Sequence, residues 1–526
     1  MIYTSPFDDV AIPDVSLPAF VTERFATWAD RPALIDGPSG RTLTYGALQA
    51  RIEQMAGALA ARGFAPGDVF AIYAPNVPEY AIAFYGAIRA GGIVTTINPL
   101  YTADELAHQL KDADARFLLT VPPFFDKAKA AADAAEIEEV FVLGGGDTGG
   151  TSFEALLATG GAAPTVTVDP ADDVAVLPYS SGTTGLPKGV MLTHRNIVAN
   201  ICQCVPVEGL EAGEVTVGIL PFYHIYGMTV ILSMALRCGA TVVTMPRFEM
   251  EDFCALVQAH GIKSAYLVPP IILGLAKQPV VDDYDLSTLQ YITSGAAPLP
   301  TAVAEGCRDR IGCVVKQGYG MTETSPVTHL AARGADIHKI DAVGRAVPNT
   351  EFRIVDVDGT TDVETGARGE LWVRGPQVMK GYLNRPDATA DTIDEAGWLH
   401  TGDVAIADEE GFVYIVDRVK ELIKYKGYQV APAELEAILQ AHEGIADAAV
   451  VPSPSEEAGE VPKAFIVRKP NARGLAAEDV MAFVADQVAP YKKVRRVAFV
   501  QEIPKTASGK ILRRTLVKEE RAAAGS

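Results

Sequence analysis

The stretch Tyr179-Ser180-Ser181-Gly182-Thr183-Thr184-Gly185-Leu186-Pro187-Lys188-Gly189 joins two apolar runs, Val174 to Leu177 and Val190 to Leu192. Four Ser/Thr hydroxyls, three glycines and one lysine therefore stand on a connection between two predicted strands. Glycine lets the backbone curl so that its N–H groups converge on one anion, and hydroxyls and an ammonium can complete such a cradle. A phosphate is the guest this composition suits. The loop is not a Walker A loop, because Lys188 follows Pro187 and precedes Gly189, so no Gly-Lys-Ser/Thr opens a helix.

Four further clusters carry chemistry, each with a plainer reading beside it. Gln317-Gly318-Tyr319-Gly320-Met321-Thr322-Glu323 follows a predicted strand. Its glycines remove side chains where a flat ligand could lie, Tyr319 can stack on a base, and Glu323 can hold magnesium, which prefers oxygen ligands. A tight glycine turn is the alternative. His224 lies just past the apolar run Val215 to Leu220, and doubly wound sheets bind ligands at such strand ends; a histidine among aromatics is otherwise an ordinary core residue. Thr401-Gly402-Asp403 and Arg418 fall across a predicted strand pair, where a carboxylate could accept both hydroxyls of a ribose and a guanidinium donate to the same sugar. A surface ion pair would explain them equally and would contribute little. Lys505-Thr506-Ala507-Ser508-Gly509-Lys510 is a glycine turn presenting a lysine, able to neutralise charge that develops at a phosphate under attack, or simply a solvated basic loop.

The elements that must position these residues follow from the hydrophobic pattern. From Val69 to Leu143 strand-like and helical segments alternate, with Pro78 opening one helix, and a second alternating series runs from Val215 to Lys316. Alternation of this length predicts parallel sheets covered by helices, hence two doubly wound α/β units. Beyond about Thr350 short strands and turns predict a small β unit, and the charged run Val416 to Glu421 predicts a boundary. A smaller α+β unit follows, with a helix opened by Pro432. The expected domains are 1–417 and 418–526.

Composition narrows the classes. The chain has 526 residues, 48% hydrophobic, with a net charge of −21, which disfavours nucleic acid and anionic membranes as partners. From Arg418 onward Lys and Arg outnumber Asp and Glu by 18 to 14, whereas the preceding residues hold 27 against 52. Such asymmetry suits a tail that meets an anion. The six cysteines show no C-x-x-C spacing, and no apolar stretch reaches the ~18 residues a membrane span requires. A soluble, cytoplasmic, multidomain protein with reduced cysteines and without a membrane span is expected.

In this order the motifs resemble those of the ATP-dependent acyl-adenylate-forming superfamily, from about Leu43 to Thr515. The resemblance is closest to 4-coumarate–CoA ligases, through Gly397-Trp398-Leu399-His400-Thr401-Gly402-Asp403 and the run Lys420 to Glu434. It implies a large N-terminal domain of two α/β subdomains and a small β unit, hinged at Lys420 to a small α+β domain. It further implies two steps. A carboxylate attacks the α-phosphate of ATP to give acyl-AMP, and coenzyme A then displaces AMP.

By the same resemblance Ser180, Ser181, Gly182, Thr183, Thr184 and Lys188 would cradle the ATP phosphates. Gln317, Gly318, Tyr319 and Thr322 would hold the adenylate, Glu323 the Mg2+, and Asp403 and Arg418 the ribose. Lys510 would drive adenylation and His224 would sit beside the reacting carboxylate. Lys424 and Gln429 would serve thioester formation, and Arg247, Lys426 and Gly427 would contact coenzyme A. Tyr226, Thr229, Gly295, Ala296, Gly318, Gly320, Pro326 and Val327 match an acyl pocket whose small residues suit a flat aromatic acid. Cinnamate and 4-coumarate are both compatible, with a medium-chain fatty acid as the alternative substrate. A luciferase-like oxygenase shares the adenylation step, and a non-catalytic binding protein would be signalled by loss of Lys510, Glu323 or Asp403, all of which are present. The expected assembly is a monomer or homodimer.

Overall fold

The structure is a computed structural model describing residues 1–144, 149–180, 187–334, 336, 338–357, 359, 361–426, 428–455, 458–506 and 509–524, with backbone only for 521–524. The strand Val69–Tyr73 is buried at every position, as a parallel strand covered on both faces must be. It pairs in parallel with Ile93–Thr96 on one side and Ala115–Thr120 on the other. These belong to an eight-stranded sheet that ends, beyond Val174–Ser180 and Lys188–Thr193, on Gly381–Tyr382.

Local signals set the crossover helices. Pro78–Arg89 begins with proline, with Glu79 in its first turn and Arg89 in its last, each complementing the helix dipole. Ala103–Asp112 opens on a capping box between Thr102 and Glu105. His194–Glu208 is capped reciprocally by Thr193 and Asn196 and stops at Gly209, whose φ of 59° suits glycine.

A second, nine-stranded sheet contains Val215–Gly218, Thr241–Thr244, Ser264–Leu267, Tyr291–Ser294 and Val314–Gly320. The last strand extends further than the hydrophobic pattern predicts. Val314 to Gln317 pair in parallel with Tyr291–Ser294, then Gly318 to Gly320 turn to pair antiparallel with Val327–Leu330, with a bulge at Tyr319/Gly320. The glycine motif is thus part of a strand, because its backbone still finds a ladder partner. The two sheets share one large apolar core.

A five-stranded sheet follows, with Glu351–Val355, Gly369–Arg374, Leu399–Ala407 and Val413–Arg418 antiparallel, each to the next. The C-terminal unit has its own core, built on the long hairpin Ile445–Ser455 and Gly459–Arg468 and the helix Pro432–Ala441. The two α/β sheets, the β unit and the α+β unit agree with the pattern expected from the sequence. Among the described residues no helix is long and apolar enough to cross a membrane.

Candidate active site

Strand ends from both α/β sheets, the β unit and the C-terminal loop converge on one cavity of about 1160 Å³. Ser180 and Lys188 enter it from the two strands flanking the phosphate loop. Ser181, Gly182, Thr183 and Thr184 lie outside the described residues, as does Gly427. Lys188 reaches the cavity over the face of Tyr382, with its Nζ 4.0 Å from the ring centroid. The Tyr382 hydroxyl donates to Glu323 Oε1 at 2.8 Å, which fixes a carboxylate on the cavity wall beside Thr322.

Asp403 and Arg418 occupy paired positions on adjacent strands. Arg418 Nε lies 3.1 Å from Asp403 Oδ1, and the Tyr319 hydroxyl donates to Asp403 Oδ2 at 2.6 Å. Tyr319 and Arg418 line the cavity while Asp403 is buried behind them. The carboxylate therefore orients both side chains that face a ligand.

His224 and Lys510 line the same cavity. The backbone N–H of Tyr226 donates to His224 Nδ1 at 3.3 Å, so a neutral ring carries its proton on Nε2 as a donor. Burial, aided by the Lys510 ammonium, lowers this imidazole to about 4, so it is neutral at physiological pH. Burial, and secondarily Arg418, lowers Lys510 to about 8. The lysine loop is pinned by the Lys510 N–H donating to Thr506 Oγ1 at 3.1 Å. Gly509 there has a φ of +79°, and a Cβ would stand 3.0 Å from Pro270 Cγ; glycine meets both demands at the contact with the large unit.

The remaining wall is largely apolar. Tyr226 begins a π-helical segment, Tyr226–Ser233, an irregularity that often marks functional sites. Its hydroxyl donates to the Thr293 carbonyl at 3.1 Å. Gly295 lies against that ring, where a Cβ would come 2.8 Å from Tyr226 Cε1. Ala296 sits at φ 70°, strain that side chains tolerate mainly at functional sites. Gly318, Gly320, Pro326 and Val327 complete this end.

Several residues singled out from the sequence stand elsewhere. Gln317 is buried and donates to the Ile340 carbonyl at 2.8 Å, away from the cavity. Thr229 is buried in the π-helical segment off the lining, and Val230 takes the wall position. The extra residue per turn of a π-helix rotates successive side chains in a way a 3.6-residue repeat does not anticipate. Arg247 is exposed and pairs with Glu249 at 3.1 Å. Lys424 and Gln429 face each other across an exposed hairpin of the C-terminal unit, where Lys426 is also exposed; none of the three lines the cavity. Lys420 does. Conversely, Glu208 and Cys204 line the cavity near Tyr226 although no motif marks them; Glu208 closes a helix of mixed polar and apolar residues, so no spacing singles it out.

One cavity thus combines basic and hydroxyl-bearing residues suited to a nucleotide with a largely apolar end suited to an organic group, and a lysine and a histidine line it as well. The chain belongs to the AMP-binding enzyme family: the family model matches residues 21–383, and the model of the AMP-binding enzyme C-terminal domain matches 434–510. Its relatives include 4-coumarate–CoA ligase 5 of Oryza sativa subsp. japonica, 43% identical over 98% of this chain and 96% of the relative. The 4-coumarate–CoA ligase of Pinus taeda is 43% identical over 98% and 97%. Among solved structures, ATP-bound MatB from Rhodopseudomonas palustris superposes with a TM-score of 0.86 at 28% identity, covering 96% of this chain and 99% of that one. A benzoate CoA ligase from Burkholderia xenovorans gives 0.85 at 26% identity, covering 95% and 99%.

Proposed function

We propose that this chain is an ATP-dependent carboxylate–CoA ligase acting on aryl-propenoic acids of the 4-coumarate and cinnamate type. The observation that carries the reading is that Lys510 and His224 line one cavity together with the proposed nucleotide-binding residues Lys188, Tyr319 and Arg418 and the largely apolar residues around Tyr226. The full-length likeness to 4-coumarate–CoA ligases supports the acid class.

In the first step a carboxylate oxygen of the acid bonds to the α-phosphorus of ATP, and the bond to the β-phosphate oxygen breaks to release pyrophosphate. Lys510 and Lys188 offset the negative charge that builds on the phosphates. His224, with its proton on Nε2, donates to the carboxyl group and orients it. Arg418, oriented by the buried Asp403, donates to the ribose, and Tyr319 lies under the base. Glu323 fits a magnesium site, since that ion takes one or two carboxylates and completes its shell with substrate phosphates and water, and the Tyr382 hydroxyl occupies only one of its oxygens. Bound there, magnesium would supply further charge neutralisation on the phosphates.

In the second step the thiol of coenzyme A loses its proton, its sulfur bonds to the acyl carbon, and AMP leaves with the electron pair of the acyl–oxygen bond. Lys510 in the cavity obstructs this approach. A movement of 418–526 relative to 1–417 about Lys420 would withdraw Lys510 and bring in the exposed Lys424 and Gln429, with Lys426, Gly427 and Arg247 as coenzyme A contacts. Domain movements of this kind gate many two-step enzymes.

The test is coenzyme A-dependent AMP release with cinnamate, 4-coumarate, caffeate, benzoate, hexanoate, octanoate and acetate. Aryl-propenoates are expected ahead. Fatty acids ahead would move the enzyme to a medium-chain acyl-CoA synthetase, and AMP release without thioester would refute the coenzyme A step.

A further inference from the structure

Glu208 ends the helix His194–Glu208, with a side chain only 1% exposed, yet it lines the cavity at the end formed by Tyr226 and Thr293. A charge so placed needs a reason. Lys316, equally buried on the strand Val314–Gly320, sets its Nζ 2.8 Å from Glu208 Oε1 and also donates to the Ala331 carbonyl. The Thr293 hydroxyl donates to the same Oε1 at 3.3 Å. Oε2 is less well served, since the nearest cation, Arg333 Nε, is 3.7 Å away, beyond hydrogen-bond range. Arg333 Nη1 and Nη2 are committed to Glu214 and Ser264, while its Nε stays too far from Oε2 to complete it and has no hydrogen-bond partner of its own among the described residues.

A carboxylate has about four acceptor sites, and a buried one left short of donors is costly. The pair is already neutral as a whole, so the group that completes it should be an uncharged donor. The acid's own carboxyl group belongs at the other end, between His224 and Lys510, so the donor must come from the substrate's distal end. We infer that Glu208 is a specificity-determining residue that accepts a hydrogen bond from a hydroxyl on the far end of the aromatic acid. The inference rests on the aryl-propenoate reading above and adds a ranking within it, 4-hydroxylated rings ahead of unsubstituted ones. An unsubstituted ring would exclude water from Oε2 without replacing it, and sites built for a hydroxyl reject analogues lacking one for this reason.

The experiment measures kcat/KM for 4-coumarate, cinnamate and 4-methylcinnamate, the last matching the hydroxyl in size but not as a donor, with octanoate alongside. The natural chain should favour 4-coumarate over 4-methylcinnamate by about 10- to 100-fold, the usual worth of a hydrogen bond to a charged group. In the double variant Glu208→Leu/Lys316→Met, which removes both charges and so strands neither, that ratio should fall to within about threefold of unity. Melting temperature and AMP affinity report whether the variant is folded. Equal use of the two para-substituted acids by the natural chain overturns the inference, and so does a ratio that survives in the folded variant. Should the variant not fold, the comparison in the natural chain decides alone. Octanoate ahead of every aryl acid would remove the aryl-propenoate reading and this inference with it, whereas aryl acids ahead with a flat ratio would remove only the role of Glu208.

Discussion

Lys510 and His224, far apart in the chain, line one cavity, and the lysine's charge adds to burial in holding the imidazole neutral. A cation and a neutral donor so arranged can bracket a phosphate on one side and a carboxyl group on the other. They also bring residues of the segment matching the AMP-binding enzyme model and of the segment matching its C-terminal partner to one cavity. Five expectations follow from this geometry and its surroundings.

Lys510→Ala should lower acid-dependent pyrophosphate release by about 10²- to 10³-fold, the range seen when one preorganised charge stabiliser is lost. Thioester formation from chemically prepared acyl-AMP should stay close to parental, because that step is proposed to proceed with Lys510 withdrawn. Equal loss in both half-reactions would contradict the division of labour.

The lowered value of Lys510, about 8, gives a pH dependence. The charged form, which acts on the phosphates, prevails below that value and is lost as pH rises through it. Accordingly kcat/KM for ATP, which reports the free enzyme, should fall above pH about 8. Lys510→Arg, whose guanidinium stays charged, should be less active but lack that alkaline limb. A profile unchanged by the substitution would assign the limb to another group.

Tyr319→Phe removes the donor to Asp403 Oδ2 while keeping a ring for the base. Loss of a hydrogen bond to a charged group, about 1.5–3 kcal/mol, should appear as a raised KM for ATP. Saturating kcat should change far less. Steady-state kinetics at varied ATP, with the acid fixed and saturating, distinguish the two.

Gly295→Ala would place a methyl group 2.8 Å from Tyr226 Cε1, tighter than normal contact. The ring must shift into the acyl end, so kcat/KM for 4-coumarate should fall by about tenfold or more, in keeping with 1–3 kcal/mol for overpacking. The KM for ATP should hold. An acid preference identical to the parent's would show that Gly295 does not bound the pocket.

Lys316→Met alone leaves Glu208 buried without its cation. Breaking one partner of a buried ion pair costs about 3–5 kcal/mol, measurable as a lower denaturation midpoint in urea. The double change with Glu208→Leu should recover most of that loss, since the penalty belongs to the lone charge.

Much of the scaffold was legible because it rests on local signals. The parallel strands read as unbroken apolar runs, and Pro78 and Pro432 mark helix starts through their own backbone chemistry. The strand Val314–Gly320 extended past its expected end because pairing with Val327–Leu330 overrides the turn preference of its glycines. The Asp403–Arg418 register was also foreseeable, since an antiparallel strand pair with a short turn places such residues opposite each other.

The sequence by itself determined which chemistry is available: the glycine- and hydroxyl-rich loop, the tyrosine between two glycines, Asp403 with Arg418, and the glycine turn bearing Lys510 are local patterns of residue type. Only the tertiary structure decided which groups share a space. It turned Gln317 toward Ile340 and Thr229 away from the pocket, and it set Lys510 rather than Lys424 in the cavity. It also buried Glu208 against Lys316, far apart in the chain, at the floor of the acyl end. Side-chain direction and long-range pairing depend on packing between elements, and no spacing along a single strand or helix encodes them.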